Sequence, residues 1–453
     1  MASSLTSALS RLTTREIADK FYTTASALVP GSARIALYLT EIAAGRGVAA
    51  RAATALLTPA HRHFCVDEDP EKASRVMLRL DELGLGGILD YAAEAAPTEA
   101  VAAKNTAGVV RSATVSIPNR TAIVCKISAL APAGLLEQHS AHLWAQRSIW
   151  HDTHGESLLS AQSVPPNAGH LSDLLACNEA EMLQSVGRVE ARLHEVCAAA
   201  EASGLQVMVD AEEWAVQPSI DHIVQHAMAK FNTRSPIVHT TVQAYLADAR
   251  ARTDLLLENA QRLGYKPAVK IVRGAYMDLE ARRSRDFDLP SPVCSSIEHT
   301  AAMYDDCVSV LIERAVDQMQ GSVLIATHNA SAVRSIIEDH GLEGRPESHA
   351  TRGCGPFPAP RIRFAQLKGM SDALSLELAE QGFGTDKYVP YGSIDTTLKY
   401  LARRALENSD AASGASHAEM RELVQELTRR LLPRHTHAAP SSRSRGFPRP
   451  DAA

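Results

Sequence analysis

The chain has 453 residues, 45% of them hydrophobic and 22% charged, with a formal net charge of −6. That length and apolar share accommodate a barrel of about 250 residues with additions, and the acidic balance provides no basic field for nucleic acid. No run of about 18 apolar residues offers a membrane-spanning helix, and seven cysteines without a CxxC pair fit reduced thiols inside a cell.

The N-terminal stretch MASSLTSALSRLTTR carries Ser, Thr and Arg and reaches its first acid only at Glu16. Residues 1–20 therefore fit an organelle transit segment, with a frayed terminus as the other reading. Residues 21–80 carry helical periodicity and are expected to form an arm outside the main domain. From 81 to 410 short β-rich runs alternate with long helical patterns. The runs are GGILDYA (86–92), AIVCKISAL (122–130), LQVMVDAE (205–212), PIVHTTVQAY (236–245), AVKIVRGAY (268–276), SVLIATHN (322–329), RIRFAQLKGM (361–370) and KYVPYG (387–392). Alternating strand and helix means parallel strands joined by crossover helices. Eight such units predict an α/β fold, a distorted (β/α)8 TIM-like barrel. An open doubly wound sheet is the alternative, and it would normally show a Gly-rich phosphate turn after its first strand. Two joints are long, about 131–203 and 344–360, and read as insertions. In the first, DTHGES lacks the ligand spacing of an EF-hand. A C-terminal amphipathic helix is expected over 411–432. The Pro-, Ser- and Arg-rich 433–453 is expected to be disordered.

Barrel chemistry sits at the C-terminal strand ends, and polar residues recur there. Lys126 lies in the second run between apolar neighbours. Asp210 and Glu212 end the third, and Gln243 ends the fourth. Lys270 and Arg273 flank the fifth, followed by Gly274 and Tyr276. Thr327, His328 and Asn329 end the sixth, Gln366 and Leu367 fall in the seventh, and Tyr388 in the eighth. Any one of these has a bland explanation, such as a turn, a helix start or a snorkelling lysine. Repetition at one end of successive strands is harder to explain as packing, because each group is costly to bury unpaired.

After the eighth run comes YLARRALEN (400–408). Arg403 and Arg404 stand four and three residues from Glu407, so a surface ion pair on a helix is the bland reading. Asp395 can cap that helix, and Leu398, Leu401, Ala402 and Ala405 make its apolar stripe, with the arginines largely off it. If the helix closes the mouth, the mouth is net positive and suits a carboxylate or phosphate. No metal constellation is evident, since His328 stands alone, and no Ser-His-Asp or Cys-His arrangement is apparent. An organic cofactor would then bring the hard chemistry.

Taken together, CKISAL, VDAEE, VKIVRGAYMDLE, ATHN, AQLKGMSD, KYVPYG and YLARRALEN resemble the proline dehydrogenase (proline oxidase) family, in the family's order, over roughly residues 60–410. ILDYAAEA and SIEHTAAMYDDCV resemble its eukaryotic, mitochondrial branch. The resemblance implies a barrel holding FAD non-covalently, with the last helix, carrying Arg403 and Arg404, over the mouth. It implies oxidation of L-proline to Δ1-pyrroline-5-carboxylate, hydride passing to flavin N5 and electrons onward to membrane quinone. A mitochondrial address on the matrix side of the inner membrane, with peripheral membrane contact, follows from the same likeness. In this reading Arg403, Arg404 and Lys126 bind the substrate carboxylate, and Glu407 pairs with Lys126. Tyr276, Leu367 and Tyr388 pack around the ring, and Asp210 supports the pocket. Gln243, Lys270, Arg273, Gly274, Thr327 and His328 contact FAD. Lys270 stands where the family often has arginine, which keeps the charge and loses the fork. A hydroxyproline dehydrogenase is the nearest alternative enzyme, with Tyr388 placed to crowd a ring hydroxyl. A barrel that binds flavin or an amino acid without turnover is the alternative from another class.

Overall fold

A computed structural model describes residues 9–154, 178–349, 361–410 and 414–431, apart from residues 30, 68 and 94. Its centre is a closed parallel barrel in which the strands follow one another in chain order. They are β1 (Gly86–Tyr91), β2 (Arg120–Cys125), β3 (Gln206–Val209), β4 (Val238–Gln243), β5 (Ala268–Val272), β6 (Ser322–Ala326), β7 (Ile362–Leu367) and β8 (Thr385–Tyr391). β1 closes the ring against β8, with Ile88 opposite Tyr388. Each predicted run overlaps one strand, with β2 and β8 starting two residues earlier than predicted, and closure excludes the open sheet. One placement differs: Lys126 lies just beyond β2, where it opens the single helical turn Ile127–Leu130.

The period-2 alternation of the strands stacks their inward side chains in layers. The floor is polar: buried Arg363 forms an ion pair with Asp386 and donates to Gln206 Oε1 at 2.8 Å, while His239 and Ser322 lie 3.0 Å apart. Above it Ile88, Ala122, Val124, Met208, Leu324 and Ala365 form an apolar plug. The next inward positions, Asp90, Lys126 and Asp210, reach the mouth, as does Tyr388, which stands opposite Ile88 at the level of the plug. Outward residues are apolar because helices cover them. Val207 and Val209, for example, pack with Val189, Leu193, Ile220 and Val224.

Four helices form the arm: α1 (Thr14–Ala27), α2 (Ser32–Ala43), α3 (Val48–Phe64) and α4 (Pro70–Glu82). A reciprocal capping box starts α1, with Thr13 and Glu16 satisfying each other's backbone N–H groups. Around the barrel run α5 (Glu99–Thr114), α6 (Leu135–His154), α7 (Glu179–Ala202), α8 (Gln217–Phe231), α9 (Ala249–Leu263), α10 (Met277–Asp286), α11 (Ile297–Val310), α12 (Ala330–Asp339) and α13 (Asp372–Glu380). α14 (Ile394–Asp410) follows β8, and α15 (Gly414–Leu431) ends the described chain. The first predicted insertion is thus largely α6 and α7. Residues 155–177, 350–360 and 432–453, which include parts of both insertions and the tail, lie outside the described residues.

The arm is tied to the mouth side of β7 and β8. Asp372 accepts Lys20 at 3.1 Å and Lys387 at 2.9 Å, and Lys368 donates to the His63 carbonyl at 2.6 Å. α14 lies between arm and barrel. Its Leu398 packs with Ala43, Ala53 and Leu57, and its Tyr400 and Leu401 with Phe64 and Cys65. The N-cap of α14 is Ser393, one residue before the helix, whose hydroxyl accepts the Thr396 N–H at 3.4 Å. The sequence suggested Asp395, which falls inside the first turn. α15 returns to α1, with Leu423 on Leu9 and Ile17. No helix among the described residues is long and apolar enough to cross a membrane.

Candidate active site

One cavity of about 560 Å³ opens at the C-terminal strand ends. Lys126, Asp210, Gln243, Lys270, Arg273, Gly274, Tyr276, Thr327, His328, Leu367, Tyr388, Arg403 and Arg404 all line it. These are all the predicted site residues except Glu407. It lies on α14, but its side chain is outside the described residues. Asp90, at the end of β1, also lines the cavity and escaped the sequence reading.

Asp210 is the hub. Its Oδ1 pairs with Lys270, and its Oδ2 accepts the Tyr388 hydroxyl at 2.9 Å and lies 3.5 Å from Lys126. Burial alone would raise this carboxyl, but the Lys270 and Lys126 ammonium groups outweigh it and hold Asp210 below the usual carboxylate range. Asp90 accepts Lys126 at 3.1 and 3.2 Å. There burial wins, so Asp90 is raised despite Lys126, with the Asp210 charge pushing the same way. Burial also raises the Tyr388 phenol well above its ordinary value, and the charges of Asp210 and Asp90 add to this. Tyr388 is therefore a neutral donor at physiological pH.

The β4–β6 side is built differently. Gln243 donates to the Glu212 carbonyl at 2.9 Å. Glu212 itself, raised by burial, accepts the Ser128 N–H at 3.0 Å, which braces the turn after Lys126. Arg273 donates to Thr327 Oγ1 at 2.6 Å and lies over the Tyr304 ring at 4.4 Å. Gly274 has φ +133°, and a Cβ there would fall 1.8 Å from the Tyr245 ring, so only glycine fits. His328 Nδ1 is buried and has no hydrogen-bond partner among the described residues. Burial, with Lys387 and Arg404 nearby, pushes His328 down to about 3, so its ring is neutral.

α14 supplies the lid. Arg403 and Arg404 reach the same cavity, and Arg404, only 7% exposed, stacks over Tyr400 at 5.1 Å. Among the described lining residues five side chains are cationic and two anionic. Asp90 and Asp210 offset Lys126 and Lys270, which leaves a surplus of three positive charges. A site of this kind holds an anion.

A closed (β/α)8 barrel with a carboxylate–lysine–tyrosine network under a lid of two arginines defines a barrel of the enzyme class, with a mouth suited to a small anionic substrate. The chain belongs to the proline dehydrogenase family, whose sequence model matches residues 73–417. Proline dehydrogenase 1, mitochondrial, of Arabidopsis thaliana is 33% identical over 390 residues, which is 82% of this chain and 74% of that protein. The human protein named proline dehydrogenase 1, mitochondrial, is 37% identical over 279 residues, 60% of this chain and 44% of its own length. Hydroxyproline dehydrogenase of Bos taurus is 30% identical over 83% of this chain and 82% of that protein. Among solved structures, proline utilization A from Bdellovibrio bacteriovorus superposes with TM-score 0.66 over 95% of this chain and 44% of its own. Its 17% identity makes it a likeness of fold.

Proposed function

We propose that this protein oxidises L-proline to Δ1-pyrroline-5-carboxylate, using non-covalent FAD and passing electrons to a membrane quinone. The observation that carries the reading is the juxtaposition, in one cavity, of Arg403 and Arg404 with the Asp210-centred network. The lining fits FAD. His328 offers a buried, unpartnered nitrogen, Arg273 a cation for a phosphate, and Gln243, Lys270, Thr327 and the Gly274 backbone the remaining polar contacts. When bound, FAD supplies the two-electron acceptor.

The chain's own groups do the rest. Arg403 and Arg404 bind the carboxylate, with planar forks suited to it, and Lys126 adds a point charge fixed by Asp90 and Asp210. Tyr276, Leu367 and Tyr388 wall the ring and set its orientation. The substrate amine must be unprotonated to release hydride from the carbon beside it, so turnover rises with pH. Glu407 is assigned to pair with Lys126.

Tyr388 is also the selectivity residue. Its hydroxyl is anchored on Asp210, so its ring is held where a hydroxyl on the substrate ring would collide. The bovine relative favours hydroxyproline oxidation as the second reading. Tyr388→Ala should raise the hydroxyproline-to-proline ratio of kcat/KM.

The relatives' names support a mitochondrial address. We place the signal in residues 1–20; its removal would uncover Leu423, on which Leu9 and Ile17 pack. Ile35, Tyr38, Val48 and Leu56 are exposed apolar residues on the arm, which supports membrane contact there. The primary test is the visible spectrum of purified protein under anaerobic conditions. A flavin absorbance bleached by proline is expected. Folded protein that takes up no FAD overturns the cofactor assignment, and bound flavin that stays oxidised overturns turnover.

A further inference from the structure

Away from the mouth, two packed helices on the flank of the barrel bring together a donor set. His222 and His226 stand one turn apart on α8 and so leave the same face, with ring centroids 4.4 Å apart. From α7, a Glu190 oxygen comes within 2.7 Å of His226 Nδ1. One ligand atom from each of the three lies within 4.8 Å of the other two. The backbone positions are set by the apolar seam beneath, where Val189 and Leu193 of α7 meet Ile223 and Ala227 of α8. A fourth ring, buried His139 of α6, is held by Ser219 Oγ at 2.8 Å. It stands nearly perpendicular to His222 at 5.2 Å, which walls the inner side.

We propose that Glu190, His222 and His226 bind a divalent transition-metal ion of the zinc class. Two imidazoles and one carboxylate are a donor set such ions accept, and they leave a fourth position for water. Calcium and magnesium prefer oxygen ligands and fit it poorly. The competing description is a His226–Glu190 ion pair. A neutral imidazole can also make that contact as a hydrogen bond, and a metal would in addition draw on the His222 ligand atom, which lies within the same reach. Zinc holds nitrogen at about 2.0–2.1 Å and carboxylate oxygen at about 2.0–2.2 Å. Ligand atoms on one tetrahedral ion then stand about 3.3–3.5 Å apart, so the three side chains, His226 being half-exposed, must resettle around the ion.

The site would act as a clamp on the barrel. None of its three ligands lines the mouth cavity. But α8 begins at Gln217, whose Oε1 accepts the Glu212 N–H at 2.8 Å. An ion joining α7 to α8 therefore steadies the connection that follows Asp210. The histidines are legible at i and i+4 in SIDHIVQHAMAK, but Glu190 comes from another helix, so sequence spacing alone does not assemble the set.

The test uses the full chain with its flavin, without an affinity tag, after chelator treatment. Zinc is titrated by calorimetry, and cobalt is added separately for its visible spectrum. One saturable zinc per chain with a rise in Tm is expected, and cobalt should give the intense bands of a four- or five-coordinate site. His226→Gln and Glu190→Gln should each weaken zinc binding by roughly tenfold or more, while His340→Gln should leave it unchanged. Retained flavin shows that the variants are folded. Zinc affinity equal to wild type in both ligand variants overturns the proposal, as does a wild-type cobalt spectrum like that of the free six-coordinate ion.

Discussion

At the scale of residues, Asp210 meets Lys270, Lys126 and Tyr388 with one carboxylate. Asp210→Asn leaves two ammonium groups in the mouth with Asp90 as the nearby anion. Breaking a buried pair in this way costs about 3–5 kcal/mol, so a clear fall in Tm is expected, and calorimetry showing less than about one degree of change would refute the hub. The arginines should behave in the opposite manner. Charge-assisted bonds are worth roughly 1.5–3 kcal/mol each, so Arg404→Met should raise KM for proline by roughly one to two powers of ten. Its Tm should hold, because the mutation also removes a charge from a buried position. KM within about twofold of wild type in both Arg404→Met and Arg403→Met would sink the carboxylate clamp. Most of these residues were legible because barrel chemistry has one address, the C-terminal strand ends. Asp90 obeys the same rule and was missed because GGILD reads as an apolar run; its parity with Ile88, two residues back on the inward face, was the available signal. Glu407 and its pairing with Lys126 remain a proposal drawn from the family.

Among the elements, α14 is the one whose position has to be explained. Its arginines reach the mouth because its opposite face, through Leu398, is packed on Ala43, Ala53 and Leu57 of the arm. The arm in turn is pinned to the barrel by Lys20 on Asp372. Asp372 lies well below the usual carboxylate range: burial alone would raise it, but Lys20 and Lys387 overcome this. Substrate affinity should thus depend on residues that never touch the cavity. Leu57→Ala, a cavity-forming change costing about 2–5 kcal/mol, should raise KM for proline through a shifted α14 while flavin occupancy stays near wild type. Unchanged KM in a variant of lowered Tm would show that α14 is held independently of the arm. The sequence carried the strands and the apolar stripe of α14, since both rest on local periodicity. It did not carry the partner of that stripe. Contact between residues near 50 and near 400 is set by tertiary packing, which periodicity does not encode. The helical turn after Lys126 was likewise read as strand, because CKISAL has β-compatible residues and only the bracing contact from Glu212 to Ser128 sets its end.

For the whole molecule, folding confines several histidines in neutral form. Burial pushes His63, His239 and His328 down to about 3 and His139 to about 4, with neighbouring positive groups adding to the effect. The unfolded chain regains an ordinary histidine pKa of about 6.5, so between roughly pH 6.5 and 3 it binds protons that the folded state refuses. Stability therefore falls as pH drops through that window, and the histidine contribution is fully present only above it. Buried carboxyls such as Asp90 and Glu212, raised by burial, act with the opposite sign, because the folded state then holds the extra proton. The net slope of Tm against pH mixes the two, so a difference isolates the histidine part. His239 is the cleanest position, being 1% exposed, part of the barrel floor beside Ser322 and remote from the mouth. His239→Gln keeps a polar side chain for Ser322 and removes the titrating group. Its Tm at pH 7.5 should be lower than wild type, since a shaped buried contact is replaced, but the gap should narrow steadily as pH falls toward about 4.5. A gap that stays constant across that range would mean that His239 takes up its proton in the folded barrel, and the neutral floor would have to be abandoned.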